Sequence, residues 1–167
     1  MEKDVLFRYH PDCFENGTVK VGGTCECCGK TNVQYVDQIY SEREITCICV
    51  DCVHSGRAAA EFRGAFISGS EPLNDSSKKD ELYHRTPGYE SIQGEYWLVH
   101  CDDYCAFLRN TTVNELAEMG IIQEVIDDYN RISGGSLTAD ILVNGDFGIY
   151  LFQCLHCSKY RIWVDCF

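Results

Sequence analysis

The segment Cys25-Glu26-Cys27-Cys28-Gly29-Lys30 is followed, about twenty residues on, by Cys49-Val50-Asp51-Cys52. Taking Cys25 with Cys28, this is a C-x2-C pair answered by a second C-x2-C pair. Two residues between ligands let both sulfurs of a pair reach one ion at about 2.3 Å, and two such pairs complete a tetrahedron. Gly29 permits the positive φ that a tight turn behind the first pair requires. Cys49 and Cys52 open a predicted helix, whose positive end favours thiolates. Knuckle, β segment and helix-borne pair together describe a treble-clef-like zinc site with Cys25, Cys28, Cys49 and Cys52 as ligands. Cys47 in place of Cys49 would lose the C-x2-C geometry with Cys52.

A second quartet has a similar design. Cys154-Leu155-His156-Cys157-Ser158-Lys159 repeats the Cys-x-x-Cys-small-Lys form between two β-like runs. Its expected partner pair is Cys101 and Cys105, whose C-x3-C spacing would put both sulfurs on one side of a first helical turn. Four thiols suffice for the ion; His100 or His156 in place of one cysteine is the alternative, since imidazole also binds zinc. Cys13, Cys27, Cys47 and Cys166 are left over and are expected to be inert thiols. Both ions would be saturated by protein ligands, whereas a catalytic zinc keeps one position open for water. The expected cofactors are therefore two structural Zn2+.

Positioning these residues requires an α+β fold. Val33-Gln34-Tyr35-Val36 reads as β, and residues 53–62 as helix, with Ala58, Phe62 and Phe66 on one apolar stripe. Residues 68–79 are polar and read as a loop. Tyr96-Trp97-Leu98-Val99 makes a short buried strand, and a helix is expected after Cys101. Two more helices are expected at 112–119 and 121–132, parted by Gly120, with a turn at Ser133-Gly134-Gly135-Ser136. β runs follow at 149–153 and 160–164. The expected fold class is a small zinc-stabilised α+β domain with treble-clef or zinc-ribbon-like knuckles, short β-hairpins and several helices. It forms one domain over 1–167, with a first zinc region at 1–67 and a second at 80–167.

Twelve cysteines in 167 residues invite a disulfide framework. Disulfides belong to oxidising compartments. The opening Met1-Glu2-Lys3-Asp4-Val5-Leu6-Phe7-Arg8 has no apolar stretch of the secretory kind, so a cytoplasmic location and metal-bound thiols are expected. The formal charge is −12. Two tetrathiolate zinc sites would take it to about −16. Such a chain repels nucleic-acid phosphates, and no Lys/Arg run offsets this.

Several blocks carry a family resemblance: Phe7-Arg8-Tyr9-His10-Pro11-Asp12, the 25–30 knuckle, Arg85-Thr86-Pro87-Gly88-Tyr89, residues 97–108 and residues 150–160. In this order they resemble the bacterial CbrC family, over nearly the whole chain. The resemblance implies the same four cysteine pairs and an association with tolerance to a DNase colicin. This sequence departs from the family at Cys13, where the family tends to carry proline, and at Ser158, which replaces the knuckle glycine.

On that footing the expected function is a non-enzymatic immunity or tolerance protein that binds a basic protein toxin, such as a nuclease, through an acidic surface. Glu115, Glu118, Glu124, Asp127 and Asp128 are its candidate residues, since no Lys or Arg lies between Arg109 and Arg131, together with Asp102 and Asp103 just upstream. No nucleic-acid or membrane partner is expected. Two other classes compete. An enzyme would draw acid–base groups from His10, His54, His84 and His100 with Asp12 or Asp102. A zinc-ribbon nucleic-acid module would have to overcome the negative charge.

Overall fold

A computed structural model describes residues 6–166. The chain opens with a turn-rich arm and enters a hairpin of β1 (Lys20–Thr24) and β2 (Thr31–Val36), to which β3 (Ile48–Cys49) adds antiparallel. Two short helices follow, α1 (Val50–His54) and α2 (Arg57–Phe62). The single helix expected over 53–62 is split because Gly56 adopts φ 76°, a left-handed conformation that ends one helix and starts the next.

Residues 68–79, expected as a loop, contain two elements. β4 (Gly69–Ser70) pairs in parallel with β5 (Tyr96–Trp97), and α3 (Ser76–Arg85) begins inside the polar stretch. Asp75 caps α3 by accepting from the Lys78 backbone N–H at 3.0 Å. The loop-like composition was a helix start of the Asx-capped kind.

After β5 the expected helix at Cys101 is replaced by strands. β6 (Val99–His100) and β7 (Asp103–Tyr104) form a minimal hairpin, and β8 (Ala106–Thr111) continues the chain. Cys101 and Asp102 form its turn with φ 51° and 54°, the double positive φ of a two-residue hairpin. Three helices then cross one face of the larger sheet: α4 (Val113–Glu118), α5 (Ile122–Ser133) and α6 (Ala139–Asn144). Thr112 and Glu115 form a reciprocal capping box at the start of α4. β9 (Phe147–Gln153) and β10 (Tyr160–Cys166) close the fold as a hairpin in the order β10-β9-β8.

Strand alternation divides the core in two. Tyr150 and Phe152 of β9 face a large cluster with Tyr89, Trp97 and Phe107, which also takes in Phe66, Val53 and Ile48 from the first half of the chain. Ile149 and Leu151 point the other way and pack with Leu116, Val125, Ile126 and Leu142 beneath the helices. The large cluster therefore draws on both 1–67 and 80–167. Among the described residues, no helix is long and apolar enough to cross a membrane. The expectation about Met1 to Val5 of the N-terminus lies outside the described residues.

Candidate metal centres

The two knuckles share one backbone design. In the 25–30 loop, Cys25 N–H donates to Lys30 O at 2.8 Å and Gly29 N–H to Cys25 O at 2.8 Å. In the 154–159 loop, Cys154 N–H donates to Lys159 O at 2.8 Å and Ser158 N–H to Cys154 O at 3.1 Å. Gly29 and Ser158 both take positive φ, 75° and 61°. Each loop is closed by the first residue pair of a hairpin, Thr24 with Thr31 and Gln153 with Tyr160.

In the first centre, β3 and α1 bring Cys49 and Cys52 against the 25–30 loop. The four sulfurs of Cys25, Cys28, Cys49 and Cys52 all lie within 4.8 Å of one another, and Cys28 Sγ is 3.7 Å from Cys49 Sγ. Bonds of about 2.3 Å in a tetrahedron require S···S edges of about 3.8 Å, so the set fits a zinc-sized ion. Burial pushes the Cys25 thiol up, but N–H groups of Cys49, at 3.2 Å, and of Cys28 and Cys27 bring it down to about 7. Burial and the neighbouring sulfurs hold Cys52 well above the usual thiol range. Four thiolates this close need a cation among them, and a divalent ion supplies it.

The second cluster brings together a different set of donors from the one expected. His100, Cys101, Cys154 and Cys157 place their donor atoms within 4.8 Å of one another. His100 Nδ1 lies 3.2 Å from Cys101 Sγ and 3.3 Å from Cys157 Sγ, against about 3.6 Å for an imidazole and a thiolate on one zinc. For Cys154, burial alone would raise the thiol, but the N–H groups of Cys157 and His156 lower it to about 6. His156 N–H reaches the sulfur at 3.4 Å.

Cys105 is not brought to this cluster. It is fully buried, with its N–H donating to Leu98 O at 2.9 Å and its O accepting from Trp97 Nε1 at 2.8 Å. The expectation rested on a helical turn, whereas the strand geometry at β6–β7 presents His100 and Cys101 at the hairpin tip. His156, the other alternative, instead bonds Asp103 Oδ2 through Nε2 at 2.9 Å. The sequence signal for His100 was a two-residue turn, Cys101-Asp102, between short β-like dipeptides.

Sequence reasoning missed the clamp behind His100. Glu71 Oε2 accepts from Val99 N–H at 2.6 Å and from Arg161 Nη1 at 2.6 Å, and the same Nη1 donates to Val99 O at 2.6 Å. Both backbone groups of the residue before His100 are thus held by one buried ion pair. Arg161 also bonds Asp128 through Nε at 2.7 Å.

Comparison with known proteins gives the same extent as the fold. The model of the uncharacterised protein family UPF0167 matches residues 5–166. The chain belongs to the UPF0167 family. A UPF0167 protein of Pseudomonas aeruginosa is 35% identical over 171 residues, covering 95% of each chain. UPF0167 proteins of Mycobacterium bovis and Mycobacterium tuberculosis are each 31% identical, over 95% of this chain and 91% of theirs. No solved structure matches.

In this UPF0167 chain the acidic candidates separate. Asp103 is 2% exposed, accepting from Tyr9 OH at 2.8 Å and flanked by Arg8 and Lys78. Asp128 is 5% exposed and held by Arg161, Arg131 and Lys159. Both are internal ion-pair residues, which corrects their expected place on a docking surface. Glu115 serves its capping box. Asp102, Glu118, Glu124 and Asp127 are exposed. The histidines proposed for acid–base work do not converge: His10 bonds Pro87 O and Asn16, His54 packs on Phe7, His84 pairs with Asp80, and His100 joins the sulfurs.

Proposed function

We propose that this UPF0167 protein is a non-enzymatic, cytoplasmic zinc protein of the CbrC kind, whose two ions organise a scaffold that binds and neutralises a basic protein toxin. The observation that carries the metal reading is the pair of four-donor clusters, each with all donors within 4.8 Å. Four protein ligands leave no coordination position for water, so each Zn2+ would act as a cross-link. Cys25, Cys28, Cys49 and Cys52 would hold one ion, and His100, Cys101, Cys154 and Cys157 the other.

The toxin reading draws on charge. A four-thiolate zinc contributes −2 and a three-thiolate, one-imidazole zinc −1, taking the formal −12 to about −15. Asp102, Glu118, Glu124 and Asp127 remain available to steer a positive partner, at a rate sensitive to salt. Two measurements test the proposal in turn. Mass spectrometry of the native protein is expected to give two zinc ions per chain. Titration with a basic nuclease toxin encoded beside the gene is expected to show binding at low salt that Glu124→Lys with Asp127→Lys abolishes. A chain with fewer than two ions overturns the metal reading, and no binding at low salt overturns the partner.

A further inference from the structure

The two clusters differ in which sulfurs solvent can reach. In the first, Cys25, Cys49 and Cys52 are buried and Cys28 is half-buried. In the second, Cys154 is buried, whereas Cys101 and Cys157 are both exposed. Among the described residues, the second cluster alone therefore offers solvent an exposed pair of sulfurs. The two sulfurs sit against one nitrogen. His100 Nδ1 is 3.2 Å from Cys101 Sγ and 3.3 Å from Cys157 Sγ, and the sulfurs themselves lie within 4.8 Å of each other.

The backbones that carry this pair are held side by side by groups that are not cluster donors. Cys101 occupies the two-residue turn between β6 and β7, and Cys157 the knuckle between β9 and β10. His156, next to Cys157, bonds Asp103 of β7 at 2.9 Å, which ties the knuckle to the hairpin. Lys78 Nζ donates to Asp102 O at 2.7 Å, which holds the turn itself. Ala106 of β8 pairs with Gln153 of β9 directly behind the knuckle, and Glu71 with Arg161 grips Val99 behind the turn. These contacts keep the two tips together with or without an ion between them. Both cysteine side chains are exposed, so joining their sulfurs asks for rotation in solvent and not for repacking of the core.

We propose that Cys101 and Cys157 form an oxidation site for hydrogen peroxide, at which the two sulfurs are joined and the second centre releases its ion while the first keeps its own. The inference rests on the zinc reading of the second centre and adds its regulation. A coordinated sulfur is held as thiolate, the nucleophilic form. One thiolate of the pair attacks peroxide: an S–O bond forms, the O–O bond breaks and hydroxide leaves, giving a sulfenic acid. The other thiolate then attacks that sulfur: an S–S bond forms, the S–O bond breaks and a second hydroxide leaves. Two electrons pass from the sulfur pair to the peroxide, and two protons from solvent turn both hydroxides into water. His100 and Cys154 remain as donors, too few for an ion that takes four, and the chain releases it. β9 and β10 are buried by both core clusters, so the fold outlasts the release, and a thiol reductant with fresh Zn2+ reverses it.

Peroxide treatment of the zinc-loaded full chain tests this, with Cys166→Ser removing the remaining exposed thiol among the described residues. Native mass spectrometry before oxidation is expected to count two zinc ions per chain. On addition of hydrogen peroxide, one ion is expected to leave at least about tenfold faster than the other. A peptide map is expected to show Cys101 bridged to Cys157, and far-ultraviolet circular dichroism to keep its folded signal. Dithiothreitol and Zn2+ are expected to restore the starting mass and metal count. A chain with fewer than two ions before peroxide is added overturns the zinc reading, and this site with it. A chain that starts with two ions and keeps both, loses them together, or loses one without a Cys101–Cys157 bridge overturns the oxidation site alone.

Discussion

His100 and Cys105 are the rival candidates for the fourth donor of the second cluster, and backbone direction decides between them. A helix at Cys101 would have carried Cys105 round to the same side; the hairpin instead sends it into the core. There its thiol is pushed up by burial, and its sulfur is not among the four donors that lie within 4.8 Å of one another. Cys105→Ala is therefore expected to keep two zinc ions per chain and to cost about 1 kcal/mol of packing. His100→Ala is expected to leave one ion. Native mass spectrometry reads both, and loss of an ion from Cys105→Ala would return Cys105 to the ligand set. Ser158 gives a second test at this scale. A non-glycine residue at φ 61° costs about 1–2 kcal/mol, part of which glycine gives back in unfolded-chain entropy. Ser158→Gly is expected to stabilise the zinc-loaded protein by about 1 kcal/mol, or about 2–4 °C in melting temperature. A lower melting temperature would show that the hydroxyl does something the backbone does not reveal.

At the scale of elements, the hairpins were legible because their signals are local. Aromatic and β-branched runs at 149–153 and 160–164, and a six-residue loop starting at a cysteine, fix β9, β10 and their knuckle without knowledge of the rest. The same holds for α4 and α5, where Gly120 marks the boundary between them. β6 and β7 were not legible: each is two residues long, and their pairing is held by groups far away in sequence. Glu71 and Arg161 are ninety positions apart, yet together they grip both sides of Val99. The charge of Asp128 was legible, but its burial against Arg161 was not, because nothing in a helical pattern announces a partner on a distant strand. If the clamp orients His100, Glu71→Ala is expected to speed zinc release from the second centre about tenfold and leave the first unchanged. Release measured with a chromophoric chelator separates the two phases. Equal acceleration of both would mean that the variant loosens the whole fold and that Glu71 has no particular claim on His100.

Across the whole molecule, the two centres differ in exposure and in what they support, and the two differences run in opposite directions. The first centre buries Cys25, Cys49 and Cys52, while the second leaves Cys101 and Cys157 exposed. On the proposed zinc-bound form, a chelator would therefore reach the ion of the second centre first. The first centre, however, closes a hairpin whose β1 strand is almost wholly exposed, with little packing of its own. The second closes β9 and β10, which are buried on both faces by two core clusters. Zinc is worth about 10–16 kcal/mol to a structural site, comparable with the whole stability of a domain at about 5–15 kcal/mol. An ion in the first centre would thus leave second and be the one its surroundings can least do without. Chelation is expected to remove the ions in two steps of one equivalent, the first nearly silent in far-ultraviolet circular dichroism and the second accompanied by loss of folded signal. His100→Ala should lack the early step and keep the late one. A single step that removes both ions together with the signal would show the centres to be one cooperative unit, and a spectrum unchanged after both have left would end the case for metal as the organiser of this fold.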